Sequence, residues 1–124
     1  MKFQPEIIDG QHIVQSYDSN GVVINGKKHA DSVVFGTNLP VTSWQNASLD
    51  LPTSMFEWLY ATRPADTEVL IIGTGAKQVF PSADIRRFFA QKNCPVEYMD
   101  TQAACRTYNI LVGEGRHVVA AILI

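Results

Sequence analysis

The clearest apolar run in the chain, Val69-Leu70-Ile71-Ile72, follows Glu68 and stops at Gly73-Thr74-Gly75. A short continuous run that ends in glycines predicts a strand covered on both faces, delivering a loop to the edge of a sheet. The period then changes. From Ser82 to Lys92 the apolar residues Ile85, Phe88 and Phe89 form a helical stripe, with Arg86, Arg87 and Gln91 on the other face. Ser82 is placed to cap this helix, Asp84 sits in its positive first turn, and Asn93 and Pro95 supply the stop. A second run, Val96 to Met99, ends at Asp100-Thr101. Glu68 to Met99 therefore reads as a βαβ unit with parallel strands and a right-handed crossover.

Upstream the pattern is looser. Ile7-Ile8 and His12-Ile13-Val14 are apolar clusters separated by the turn dipeptide Asp9-Gly10, which predicts a short hairpin or edge strand over Met1 to Ser19. Val22-Val23-Ile24 meets Asn25-Gly26, a strong hairpin signal because both central residues of a type I′ turn need positive φ. The partner strand starts at Lys27 or Lys28, and Ser32 to Phe35 either continues it or opens a new strand that Gly36 ends. Thr37 to Ser48 shows little periodicity and reads as a loop, with Trp44 lying over the core or an exposed pocket. Asp50 is placed to cap a helix from about Pro52, with Met55, Phe56, Leu59 and Tyr60 facing the core; Pro64 ends it by disfavouring the helical region for Arg63.

Downstream, Thr101 reads as the cap of a short helix through about Tyr108. Asn109 to Val112 then predicts a strand, Gly113-Glu114-Gly115 a turn, and Arg116 to Ile124 the returning strand of an antiparallel hairpin. The run Val118 to Leu123 has no polar alternation, so both its faces should be covered. Together these elements predict one α/β domain over residues 1–124, in three layers: a mixed central β-sheet, helices packed on it, and an N-terminal β-hairpin layer. Periodicity leaves the strand order open.

Composition narrows the function classes. A chain of 124 residues can bury one real core. Charged residues make up 18%, below the ~25% typical of globular domains, and hydrophobic residues 46%, which argues against disorder. A formal net charge of −2 and a pI near 5.8 provide no basic excess for a nucleic-acid backbone. No run approaches the ~18 apolar residues of a membrane helix, and Met1 to Glu6 lacks the apolar region of a secretory signal, so a cytoplasmic protein is expected. Cys94 and Cys105 are then expected as reduced thiols.

The candidate chemistry gathers at the strand ends. Gly73-Thr74-Gly75 could bring backbone N–H groups to an anion, but position 78 is Gln rather than Gly and six residues separate Gly75 from Ser82, so a tight strand exit is the competing explanation. Asp100-Thr101 ends the next parallel strand, where open α/β sheets place ligands; helix capping is its rival use. If the two strands are neighbours, both pairs line one crevice. Cys105, one turn into the following helix, is a candidate thiolate or an inert core residue, and Asn109 lies further along. The three histidines and two cysteines show no metal-ligand spacing, and no cofactor motif is complete. Arg86, Arg87 and Lys92 read as a solvated helix face.

The combination of Glu68 to Gly75, Val96-Glu97, Asp100-Thr101-x-x-Ala104-Cys105, Thr107-x-Asn109 and Glu114-Gly115-Arg116 resembles a widespread family of small proteins of unknown biochemical activity. Its members include a mitochondrial assembly factor for respiratory complex I and a cytosolic animal relative associated with adipogenesis. The resemblance covers Phe3 to Leu123 and is most specific in the second half. It implies a three-layer α/β domain with a mixed sheet, a stand-alone bacterial or archaeal member, and work in protein assembly; it carries no catalytic residue across.

Two functions follow as expectations. One is a non-enzymatic binding or assembly module that engages an unidentified protein partner, as a monomer or weak homodimer. The other is a small-ligand binder or enzyme at the strand ends, built from Gly73, Thr74, Gly75, Asp100, Thr101, Cys105 and Asn109, with Asp100 as acceptor or base and the glycine loop as anion cradle.

Overall fold

The computed structural model describes residues 12–44 and 53–124, so the expectations placed on Ile7-Ile8, Asp9-Gly10, Asn46, Asp50 and Pro52 lie outside the described residues. The first three strands, β1 (Val14–Asp18), β2 (Gly21–Ile24) and β3 (Lys27–His29), form an antiparallel meander. The β2–β3 turn is made by Asn25 and Gly26 at φ 48° and 84°, the left-handed pair that a two-residue hairpin requires. β4 (Val33–Gly36) opens a second sheet rather than continuing the meander.

That second sheet is the centre of the molecule. Its order is β5-β4-β8-β6-β7, where β5 is Leu39–Ser43, β6 Val69–Gly73, β7 Val96–Met99 and β8 Val118–Ile122. β4 runs antiparallel to both neighbours, whereas β6 is parallel to β7 and to β8, so the sheet is mixed. β5 occupies part of the stretch expected as a loop; its Pro40 breaks the propensity pattern, and an edge strand tolerates a residue that lacks an N–H. Trp44, just beyond it, is buried.

Among the described residues, three helices cover the sheet. α1 (Ser54–Thr62) buries Phe56 and Leu59, with Met55 and Tyr60 packed at the margin, and ends where Arg63 turns extended (ψ 141°) before Pro64. α2 (Ala83–Gln91) is capped by Ser82, whose hydroxyl accepts from Ile85 N, and buries Ile85 and Phe89. α3 runs from Thr101 to Gly113, well past Tyr108. The expected strand from Asn109 to Val112 is therefore the second half of a helix, and the expected terminal hairpin does not form: β8 lies between β4 and β6 instead. Thr101, Ala104, Cys105, Tyr108 and Val112 are the buried positions of α3. Their spacing is helical, and contact with the sheet decides against the strand propensity of Ile110-Leu111-Val112.

The alternation of β-strand side chains divides the core in two. Val34, Leu70, Ile72, Val119 and Ala121 face α1 and α2, together with Trp44. Phe35, Val69, Ile71, Val118, Ala120 and Ile122 face α3 and the meander residues Ile13, Val14, Val22 and Ile24. Every residue of β6 and β8 is buried, as their unbroken apolar runs require.

Candidate functional site

β6 and β7 are neighbours, and their carboxyl ends bring Gly73-Thr74-Gly75 and Asp100-Thr101 together. Asp100 caps α3: its Oδ1 accepts from Ala103 N at 2.8 Å. Thr101, fully buried, joins three segments. Its backbone N–H donates to Gly75 O (2.8 Å), its Oγ1 accepts from Gly75 N (2.9 Å), and the same hydroxyl donates to Leu123 O (2.7 Å). Gly73 is where this junction is tightest, since a Cβ there would lie 3.0 Å from both Thr101 Oγ1 and Ile122 Cγ2.

The loop that follows is held by its own side chains. Thr74 Oγ1 donates to Lys77 O (2.6 Å) and accepts from Val79 N (3.1 Å), and Thr74 N donates to Met99 O (2.8 Å). The amides of Thr74, Gly75 and Val79 thus each have a partner within the chain.

Cys105 lies against the sheet, fully buried. Burial, and secondarily the charge of Asp100, pushes its thiol up to about 12, so at neutral pH it is protonated. Asn109 is the ninth residue of α3, roughly 12 Å along the helix from its start, and faces β1 rather than the strand ends. Its Oδ1 accepts from Val14 N (3.0 Å) and its Nδ2 donates to Val14 O (2.7 Å). Beside it, Tyr108 OH donates to His12 O (2.8 Å). The structure therefore gathers Gly73, Thr74, Gly75, Asp100 and Thr101, whereas Asn109 stands apart from them and fastens the meander to α3.

That fastening creates a cleft of about 260 Å³ lined by Tyr17, Asp18, Ser19, Gly75, Ala76, Asp100 and Gln102. Asp18 Oδ1 accepts from Asn20 N (2.8 Å), folding the β1–β2 turn beside it. Burial, then the charges of Cys105, Asp100 and Asp18, raises the Tyr17 hydroxyl above its usual range. Tyr17, Asp18, Ser19, Ala76 and Gln102 carry no local signal in the sequence. Ala76 and Gln102 come with their neighbours Gly75 and Thr101, whereas Tyr17, Asp18 and Ser19 join the site only because α3 packs on β1 across a separation of more than eighty residues.

Apart from His12, the residues that build this site lie within residues 14–123, which match the family described as protein of unknown function (DUF498/DUF598). The chain belongs to that family. This DUF498 chain is 29% identical over 126 residues to the "13 kDa major membrane protein" of Francisella tularensis subsp. holarctica, with 99% of both chains covered. It is 33% identical over 115 residues to the NADH dehydrogenase (ubiquinone) 1 alpha subcomplex assembly factor 3 of Bos taurus. That alignment covers 89% of the chain and 59% of the bovine protein, so the chain corresponds to about three-fifths of that relative. A crystal structure of a Bordetella parapertussis protein superposes with a TM-score of 0.81 at 35% identity, covering 91% of the chain and 95% of that structure.

These findings agree with the family resemblance and with the layered α/β architecture expected from the sequence. Among the described residues of the DUF498 chain, no helix is long and apolar enough to cross a membrane. Two histidines make close polar contacts elsewhere: His12 Nδ1 with Gly36 O (2.8 Å) and His117 Nδ1 with Asp66 Oδ2 (2.9 Å). His29 lines a separate cleft of about 270 Å³ with Lys28, Asp31, Ser32 and Ser43, where burial and the charge of Lys27 lower its pKa.

Proposed function

We propose that this chain is a non-enzymatic protein-binding module that assists assembly of a larger complex and works as a cytoplasmic monomer or weak homodimer. The observation that carries this reading is the use to which the strand-end residues are put. Asp100 caps a helix, Thr101 and Gly75 hold each other, and Cys105 is a buried thiol, so the groups nominated for chemistry serve the fold instead. The likeness to an assembly factor for NADH dehydrogenase supports assembly as the purpose, with a respiratory-complex subunit as the client. Affinity capture with the tagged chain at native abundance tests it. Recovery of one specific, stoichiometric client is expected, and repeated capture without any would overturn the reading.

A second reading has its own observation, the cleft of about 260 Å³ beside Asp18 and Asp100. As a small-ligand site it should respond in a thermal-shift screen against nucleotides, phosphorylated metabolites and flavins. A ligand at about 100 times its Kd adds about 2.7 kcal/mol, several degrees for a domain of this size. A hit that disappears in Asp100→Ala would move the function to this cleft.

A further inference from the structure

The two edges of the central sheet are treated differently by the chain. At β5, Pro40 offers no N–H and the ladder to β4 shifts register between Val34 and Gly36, so that edge is broken by a bulge and presents no regular run of donors to another strand. At β7 the ladder to β6 pairs Leu70 with Val96 and Ile72 with Tyr98, with Leu70 N donating to Pro95 O and Thr74 N to Met99 O. In that register the backbone groups of residues 95, 97 and 99 face β6, and those of Val96 and Tyr98 face outward. Tyr98 O is covered by a single exposed side chain, Gln78, whose Nε2 donates to it at 3.1 Å. Among the described residues the Val96 N–H and C=O and the Tyr98 N–H find no partner and are left along the edge.

The side chains around this edge alternate in character. On the α2 face stand the half-buried Val96 and Tyr98, and the loop before α2 adds Phe80, 62% exposed and edge-on to the Tyr98 ring at 6.2 Å, and Val79, 46% exposed. On the opposite face Glu97 is exposed and belongs to no ion pair among the described residues. We propose that the outer edge of β7 docks an extended segment of a partner protein in which a lysine or arginine is flanked by apolar residues, added to the sheet as a sixth strand. The residue directly across from Glu97 shares its face and is favoured when basic; its two neighbours point to the other face, over Val96, Tyr98 and Phe80, and are favoured when apolar. Charge also argues against a second copy of the chain. Antiparallel self-pairing through Val96 and Tyr98 sets Glu97 directly opposite its own counterpart, a destabilising like-charge pair.

This proposal rests on the protein-binding reading and can fail independently of it. The probe is a blocked peptide, Thr-Val-Lys-Val-Thr, and its Lys-to-Glu counterpart, titrated into the 15N-labelled full chain. The lysine peptide is expected to shift resonances of residues 77–80 and 96–99 and to slow exchange of the Val96 and Tyr98 amides. The glutamate peptide should bind several-fold more weakly, and Glu97→Lys, an exposed substitution whose fold the same spectra verify, should reverse the preference. Absence of binding at about millimolar peptide, shifts mapped elsewhere, or a preference indifferent to Glu97→Lys would overturn the edge site, as would a dimer of the chain mapped to β7. A client captured equally well by wild type and Glu97→Lys would overturn the edge while leaving the protein-binding reading intact.

Discussion

Thr101 engages both sides of one hydroxyl: it accepts from Gly75 N and donates to Leu123 O from a fully buried position. Thr101→Val keeps the shape and leaves both backbone groups without partners, which costs about 1–3 kcal/mol. Thr101→Ser retains the hydroxyl and should lose only the burial of a methyl group, about 0.8 kcal/mol. Urea midpoints at unchanged m-value separate the two, and equal losses would show that packing rather than bonding matters at this junction. Cys105 makes a second residue-scale prediction. Its pKa rises from 9.0 to about 12 on folding, so the unfolded chain releases the thiol proton near pH 9 while the native chain keeps it. The contribution to stability is therefore complete below pH 9 and is lost as pH rises toward 12, by up to about 1.4 kcal/mol per pH unit. Tyr98, pushed up to about 12, and Tyr108, raised further, add to the decline from about pH 10. Cys105→Ala should delay the onset by about one unit, its ordinary 9.0 giving way to the tyrosines' ordinary 10.0. Urea unfolding between pH 7 and 10.5 reads this directly; a wild-type curve flat to pH 10 would refute it.

Elements that announce themselves locally were legible in the sequence. The β6–α2–β7 unit, the Asn25-Gly26 hairpin and the stop before Pro64 each rest on neighbouring residues, and each is where periodicity and turn chemistry place it. The second half of α3 was not, because Asn109-Ile110-Leu111-Val112 followed by Gly113 looks like a strand and its turn until the sheet that Tyr108 and Val112 pack on is known. The candidate site divides along the same line. Gly73 to Gly75 and Asp100-Thr101 end consecutive strands and could be found, whereas Tyr17, Asp18 and Ser19 arrive through Asn109, whose part in the fold follows only from its being helical. Among the described residues the meander shares no strand pairing with the central sheet, and it is tied to α3 by Asn109 and Tyr108 as well as by apolar contact. Asn109→Ala leaves Val14 N and O without that clamp and should cost about 1–3 kcal/mol. Amide exchange is expected to quicken in β1 to β3 and to stay slow in β4, β6 and β8, because local opening follows the elements that lose contacts. Uniform loss of protection across both sheets would mean that the meander and the central sheet open only as one unit.

At the scale of the whole molecule, β8 unites what the two core faces would otherwise keep apart. It is the last strand in the chain and lies between β4 and β6. Val118, Ala120 and Ile122 face α3 and the meander, while Val119 and Ala121 face α1 and α2. No local signal could have placed a terminal strand there, since its position follows from the pairing of segments more than forty residues apart. One consequence is cooperativity: damage on one face of β8 must be felt on the other, because the strand cannot leave one half of the core without leaving both. Ile122→Ala removes buried methyl groups from the α3 face, beside the close approach at Gly73, and should cost about 2–5 kcal/mol. In a Trp58→Phe background, Trp44 fluorescence reports the α1–α2 face, and the amide resonances of Val22 and Ile24 report the meander face. Both probes are expected to shift to the same lower urea midpoint, as a two-state domain requires. Separate transitions, with Trp44 retaining its wild-type midpoint, would show that each face has a core that stands without β8. That outcome would sink the view of this strand as the common support of the molecule, whereas coincident curves alongside an Asn109→Ala effect confined to the meander would establish a rigid centre with one detachable layer.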